Sequence, residues 1–135
     1  MSSGYSKTPL IKKLGIKPSF KIHIINAPEN YFGLLGGLPD NVEIVDLKTG
    51  ELDLIHCFFL QAKDLQDMLP SLHKALKPNG MIWISWAKKA SKIETDLNRD
   101  VIREMGLAQG LVDVKVGSID DTWSGLKFVI PVANR

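Results

Sequence analysis

Apolar positions along this chain fall into short runs separated by turn residues, and their spacing alternates between strand-like and helix-like. Thr8 and Pro9 pair an N-cap with a first-turn proline, predicting a short helix over 8–14 that ends at Gly15. Lys17-Pro18 then turns the chain into FKIHIINAPEN, residues 20–30, where the β-branched Ile22, Ile24 and Ile25 predict a central strand. Pro28 suits the opening of a helix over 29–35, stopped by Gly36, Gly37 and Pro39. Short strands are expected over 42–45 and 52–59, with Lys48-Thr49-Gly50 turning between them. Leu65, Met68, Leu69, Leu72 and Leu76 form a helical stripe over 62–77, which Pro70 should kink or restart.

Pro78-Asn79-Gly80 reads as a turn before MIWISW, a strand over 81–86 that is apolar on both faces except at Ser85. Such strands lie within parallel sheets covered by helices. Thr95 or Asp96 caps a further helix with the stripe Leu97, Val101, Ile102 and Met105, ending before Gly106. Two closing strands, over 111–119 and 126–132, are joined by a polar loop over 120–125 and predict an antiparallel pair. Together these elements predict one α/β domain over residues 1–135, with a mostly parallel sheet and a C-terminal antiparallel hairpin.

Composition narrows the class. With 135 residues, 44% hydrophobic and 24% charged, the chain has the balance of a soluble globular domain. Asp53 and His56 interrupt its longest apolar run, so no membrane span is expected, and no signal-peptide core follows the N-terminal lysines; a cytoplasmic protein is expected. The single cysteine, Cys57, excludes an internal disulfide. Net charge is only +2, but Lys7, Lys12, Lys13, Lys17 and Lys21 all precede the first acidic residue, Glu29. That arm could touch nucleic acid, although it reads first as a solvated lysine face, and no nucleic-acid motif accompanies it.

LPSLHKALKPNG leading into MIWISW, preceded by Asp53-Leu54-Ile55, resembles the second half of a class I S-adenosylmethionine-dependent methyltransferase. More narrowly, GYSKTPLIKKLGIK, INAPENY, ISWAKKAS, GLVDVKV and DDTWSGLKF resemble the successive signatures of one bacterial family, the domain of unknown function numbered three thousand and fifty-two. The resemblance implies a three-layer Rossmann-like, methyltransferase-like fold and a bacterial source. The five residues 47–51 between the second and third strands are fewer than a parallel crossover normally takes, so the methyltransferase segment carrying a third strand is expected to be missing. The chain then either runs back across the sheet nearly extended or makes a local hairpin at Lys48-Thr49-Gly50; the wider resemblance favours the first.

In the methyltransferases a glycine-rich turn after the first strand lets the backbone approach the cofactor. Here Asn26, Ala27 and Pro28 occupy that turn, and Pro28 lacks an N–H, so S-adenosylmethionine in its usual pose is disfavoured. Asp46, 20 residues beyond Asn26, falls where a ribose-binding carboxylate is expected, but reads first as an Asp that ends a strand and stabilises the turn. The carboxyl ends of the strands, where ligands bind in such sheets, should also gather 59–61, Trp86, Lys88, Lys89, Asp121 and Trp123. Tryptophans, lysines and aspartates on one rim could hold a flat, charged small molecule, or could close the sheet end and pair at the surface.

No catalytic constellation stands out. His23, His56 and His73 lack ligand spacing, so no metal is expected, and the strand neighbours His56 and Cys57 point to opposite faces. The expected function is a methyltransferase-like domain that binds a small ligand or a partner without transferring methyl groups. The alternatives are a methyltransferase with an altered cofactor loop and a nucleic-acid contact through the basic arm.

Overall fold

The computed structural model describes residues 9–135. The capping role expected of Thr8, and Lys7 of the basic arm, lie outside the described residues. Helix α1 (Leu10–Leu14) buries Leu10 and Leu14 and ends at Gly15, whose φ of +86° is the left-handed conformation that glycine adopts freely. Strand β1 (Lys21–Ile25), helix α2 (Tyr31–Leu35), strand β2 (Glu43–Ile44) and strand β3 (Leu52–Phe58) follow. Helix α3 (Ala62–Ala75) leads to strand β4 (Leu76–Ala87), helix α4 (Arg99–Ala108) to strand β5 (Val112–Ser118), and a short turn to strand β6 (Trp123–Val129). The six strands form one sheet in the order β2-β1-β3-β4-β6-β5. β2, β1, β3 and β4 run parallel, and β6 and β5 close the sheet antiparallel.

Alternation along each strand explains the three layers. Ile22 and Ile24, Leu54 and Phe58, and Trp83 face a cluster completed by α1 and α2. Ile25, Ile55 and Cys57, and Ile82, Ile84 and Trp86 face the opposite cluster, under α3 and α4. This is the mixed α/β arrangement expected from the pattern.

The connection between β2 and β3 keeps the parallel core. Ile44 and Leu54 both lie opposite Ile22, so β2 and β3 flank β1 in the same direction. The chain passes from one to the other through a single 3₁₀ turn, Leu47–Thr49, with Gly50 and Glu51 at positive φ. Neither the nearly extended path nor the hairpin describes it.

Several expected boundaries move, each for a visible reason. Pro70 does not restart α3; it sits on the exposed side of one helix that runs through it. Lys77-Pro78-Asn79-Gly80 is a bulge inside β4 rather than a turn before it: Leu76 pairs with Leu52 and Met81 with Leu54. Gly80 fits this bulge because a Cβ would lie 2.6 Å from the Leu52 carbonyl oxygen and 3.1 Å from that of Lys77. Gly80→Ala is therefore expected to destabilise the fold by about 1–3 kcal/mol, read from the urea midpoint.

Helix α4 is capped by Asn98, whose side chain accepts the Val101 N–H at 2.9 Å. Asp96 instead accepts the Ala62 N–H at 2.7 Å and serves the start of α3, while the Thr95 hydroxyl donates to the Leu60 carbonyl. α4 continues through Gly106, where the Phe128 ring leaves no room for a Cβ. The hairpin also turns earlier than expected. Trp123, Ser124 and Gly125 belong to β6, and Gly125 makes room for Trp83, Ile119 and Ser85 rather than for a turn.

Candidate functional site

The turn after β1 is closed by its own side chain. Asn26 has φ +57°, a left-handed conformation that Asn tolerates better than most side chains, so it supplies the backbone shape a glycine would. Its Nδ2 then donates to the Phe58 carbonyl at 3.1 Å, tying the β1 turn to the end of β3. Ala27 packs half-buried against the α1/α2 cluster, and the Pro28 carbonyl accepts the Tyr31 N–H at 3.0 Å, opening α2. α2 itself has only five residues.

Beside this turn lies a depression of about 330 Å3, lined by Asn26, Phe58, Gln61, Asp64 and Trp123 among others. Trp123 begins β6 opposite Ala87 and meets Phe58 edge-on at 5.1 Å. Its position is fixed by Asp120, a buried residue of the β5–β6 turn whose Oδ1 accepts the N–H groups of Thr122 and Trp123, both at 2.8 Å. Deeper still, Tyr31 Oη lies 2.8 Å from His56 Nδ1, and His56 Nε2 lies 2.8 Å from Ser85 Oγ. His56 also stacks on Phe58 at 4.4 Å.

This chain of hydroxyl, imidazole and hydroxyl repeats the order of a nucleophile, a base and an orienting group. It is, however, sealed: Tyr31, His56 and Ser85 each have 0% exposure. Burial pushes the His56 imidazole down to about 3 and raises the Tyr31 hydroxyl above its ordinary value. His56 is thus neutral at physiological pH, and Ser85 presents no exposed surface. The network holds three elements together across the α1/α2 face and satisfies polar groups that would otherwise be costly to bury.

The other expected site residues divide. Lys88 donates its backbone N–H to Thr122 O at 2.7 Å and its Nζ to Ser118 Oγ at 2.7 Å, so it joins the β5–β6 turn as expected. Lys13 reaches the same serine, donating to its carbonyl at 2.6 Å; partial burial, and then the nearby Lys88 ammonium, lower its pKa. Lys89 is exposed in a 3₁₀ turn, and Asp121 is exposed on the hairpin. Trp86 does not share the rim with Trp123. It pairs with Ser124, one residue out of phase, and is buried in the α3/α4 cluster with 9% exposure.

Asp46 is separated as well. β2 stops opposite Ile22, three residues short of the end of β1, and Asp46 lines a different cavity with His23 and Lys48. Asp53, in the stretch that resembled a methyltransferase motif, lies at the amino end of β3, accepting the Lys21 N–H and pairing with Lys77 Nζ, both at 2.9 Å. Cys57 faces away from His56 and donates to the Trp83 carbonyl at 3.5 Å.

The sequence alone does not reveal the Tyr31–His56–Ser85 network or Asp64, and it places Asp120 in the polar loop over 120–125 without its turn-closing bonds. His56 and Ser85 were visible as polar interruptions in apolar strands, but their meeting depends on the β3–β4 register. Asp120 had a signal, an acid two and three residues before the N–H groups it accepts.

The fold is that of the Rossmann-like methyltransferases. Searches found no matching family model and no matching curated protein. Among solved structures, the chain is similar to a SAM-dependent methyltransferase from Aquifex aeolicus, at 14% identity over 90% of this chain and 88% of that one, with a TM-score of 0.56. It is also similar to a TehB-like SAM-dependent methyltransferase from Corynebacterium glutamicum, at 15% identity, with 90% and 85% covered and a TM-score of 0.58. A third is magnesium protoporphyrin IX methyltransferase (ChlM) from Synechocystis PCC 6803 with bound SAH, at 13% identity, with 89% and 78% covered and a TM-score of 0.57. At these identities the likeness establishes the shared fold alone. Among the described residues no helix is long and apolar enough to cross a membrane.

Proposed function

We propose that this methyltransferase-like domain binds a small molecule at the carboxyl edge of its sheet and does not transfer methyl groups. One observation carries the reading: the Asn26 side chain occupies the turn where a cofactor's approach needs bare backbone, and hydrogen-bonds across it to Phe58. The surroundings agree. Pro28 offers no N–H, Asp46 is displaced from the turn, and among the described residues no accessible pair of acid, base or nucleophile lines the depression. The residues present therefore do not fit S-adenosylmethionine in the pose a glycine-rich turn would allow.

The ligand would lie against Phe58 and Trp123, with Asn26, Gln61 and Asp64 as polar partners and Lys88 beyond the rim. Membership of the bacterial family resembled by INAPENY and DDTWSGLKF, and a cytoplasmic setting, belong to the same proposal. Titration calorimetry with S-adenosylmethionine and S-adenosylhomocysteine is expected to give no binding at about 100 μM ligand. Micromolar affinity for either overturns the reading in favour of a methyltransferase with an altered cofactor loop, the alternative that the shared fold keeps open. Native mass spectrometry of the purified protein is expected to show a small-molecule adduct that Trp123→Ala loses.

A further inference from the structure

The short β2–β3 connection leaves one face of the sheet edge open. His23 shares the parity of Ile25 on β1 and therefore faces α3. In place of a crossover helix, the turn Leu47–Thr49 lies on this side. Between that turn, β1 and the last turn of α3 lies a groove of about 580 Å3, within the size range of small-molecule sites. Leu47 and Ala75 contribute apolar surface, and Lys48, Ser71 and Lys74 stand along the sides.

The groove's polar groups favour one sign of charge. Val45 O can only accept, so the 2.7 Å bond to His23 places a hydrogen on Nδ1 and leaves Nε2 with no partner among the described residues. Nε2 is not a sealed atom, because no buried side-chain nitrogen or oxygen lacks a partner among the described residues. Lys48 and Lys74 appear in none of the ion pairs of the described residues. Two ammonium groups against the single carboxylate of Asp46 leave room for one further negative charge. We propose that this groove binds a small organic monoanion with a flat apolar body, its charged end between Lys48 and Lys74 and its body on Leu47 and Ala75. The site is separate from the carboxyl-edge depression, with which it shares no lining residue.

The probe is 1-anilinonaphthalene-8-sulfonate, an aromatic monoanion, titrated by fluorescence against the folded protein. The uncharged N-phenyl-1-naphthylamine serves as its neutral counterpart. Saturable one-to-one binding of the sulfonate is expected, weakened about fivefold by Lys48→Ala and by Lys74→Ala. Asp46→Asn is expected to tighten it about threefold, since that change removes a repelling charge without altering size. Lys92→Ala, at an exposed lysine away from the groove, should change nothing. Binding that ignores Lys48 and Lys74, an Asp46→Asn variant that binds more weakly, or equal affinity for the neutral probe would each overturn the proposal.

Discussion

Replacing Trp83 with alanine is expected to cost about 3–5 kcal/mol of stability, a large part of the roughly 5–15 kcal/mol that holds a domain together. Trp83 is the largest fully buried side chain, and it serves three elements at once. Its indole lies over Gly125 of β6, with the Gly117 position of β5 also in contact range; a Cβ on Gly125 would come within 3.0 Å of the ring. Its Nε1–H donates to the Leu14 carbonyl at 3.0 Å, at the end of α1. Lys115 places its ammonium 5.9 Å from the ring centre. The alanine variant would leave a void the size of an indole beneath α1 and free one of that short helix's last carbonyls.

Trp83→Phe separates the two effects. It keeps most of the apolar contact and removes only the N–H, so a smaller loss of about 1–2 kcal/mol is expected. Hydrogen exchange should then rise in residues 10–16 well before it rises in the central strands. Equal exchange in both regions would mean that α1 is held chiefly by Leu10 and Leu14 rather than by the indole.

Trp83 also shows what could and could not be read from the chain alone. MIWISW announced a buried strand by composition, and the alternation of strands and helices announced a layered parallel sheet. Those features depend on local periodicity, which sequence carries. Which tryptophan reaches which partner depends on register, which it does not. Trp83 and Trp86 are three residues apart in one strand and therefore lie on opposite faces, so Trp86 joins the α3/α4 cluster while Trp123 closes the other face. A rim with two tryptophans required β6 to begin three residues later than it does.

Turn chemistry misled in the same way. Gly106, Gly125 and the Pro78-Asn79-Gly80 run all read as punctuation, yet each lies inside an element because a neighbouring ring or carbonyl needs the space a side chain would fill. From the sequence alone, the turn at Asn26 reads as a substitution that spoils a glycine turn. Its φ of +57° shows that the backbone shape is kept and that only the space above it is filled. Asp46 was placed from a spacing that assumes a full-length second strand, and two residues of β2 cannot carry it to the carboxyl edge.

The buried network makes stability depend on pH in a defined direction. His56 is fully buried and neutral in the folded protein, its pKa pushed down by burial to about 3, against an ordinary 6.5 in the unfolded chain. The unfolded state therefore binds the extra proton throughout that window. The contribution of His56 is complete above pH 6.5 and is lost as pH falls from 6.5 toward 3, by at most about 1.4 kcal/mol per pH unit. Between pH 7.5 and 4.5 the loss is expected to reach about 2–3 kcal/mol. Carboxylates titrate over part of the same range, so the comparison must be made against a variant that lacks only the imidazole. His56→Gln can still bond Tyr31 or Ser85 but cannot take up a proton near neutrality. Urea unfolding at several pH values is expected to show the wild type losing stability more steeply than His56→Gln below pH 6.5, with the two curves converging as acid removes the wild type's advantage. Parallel curves would mean that the imidazole reaches solvent in the folded state, and with it that Ser85 and Tyr31 are open to chemistry the sealed network denies them.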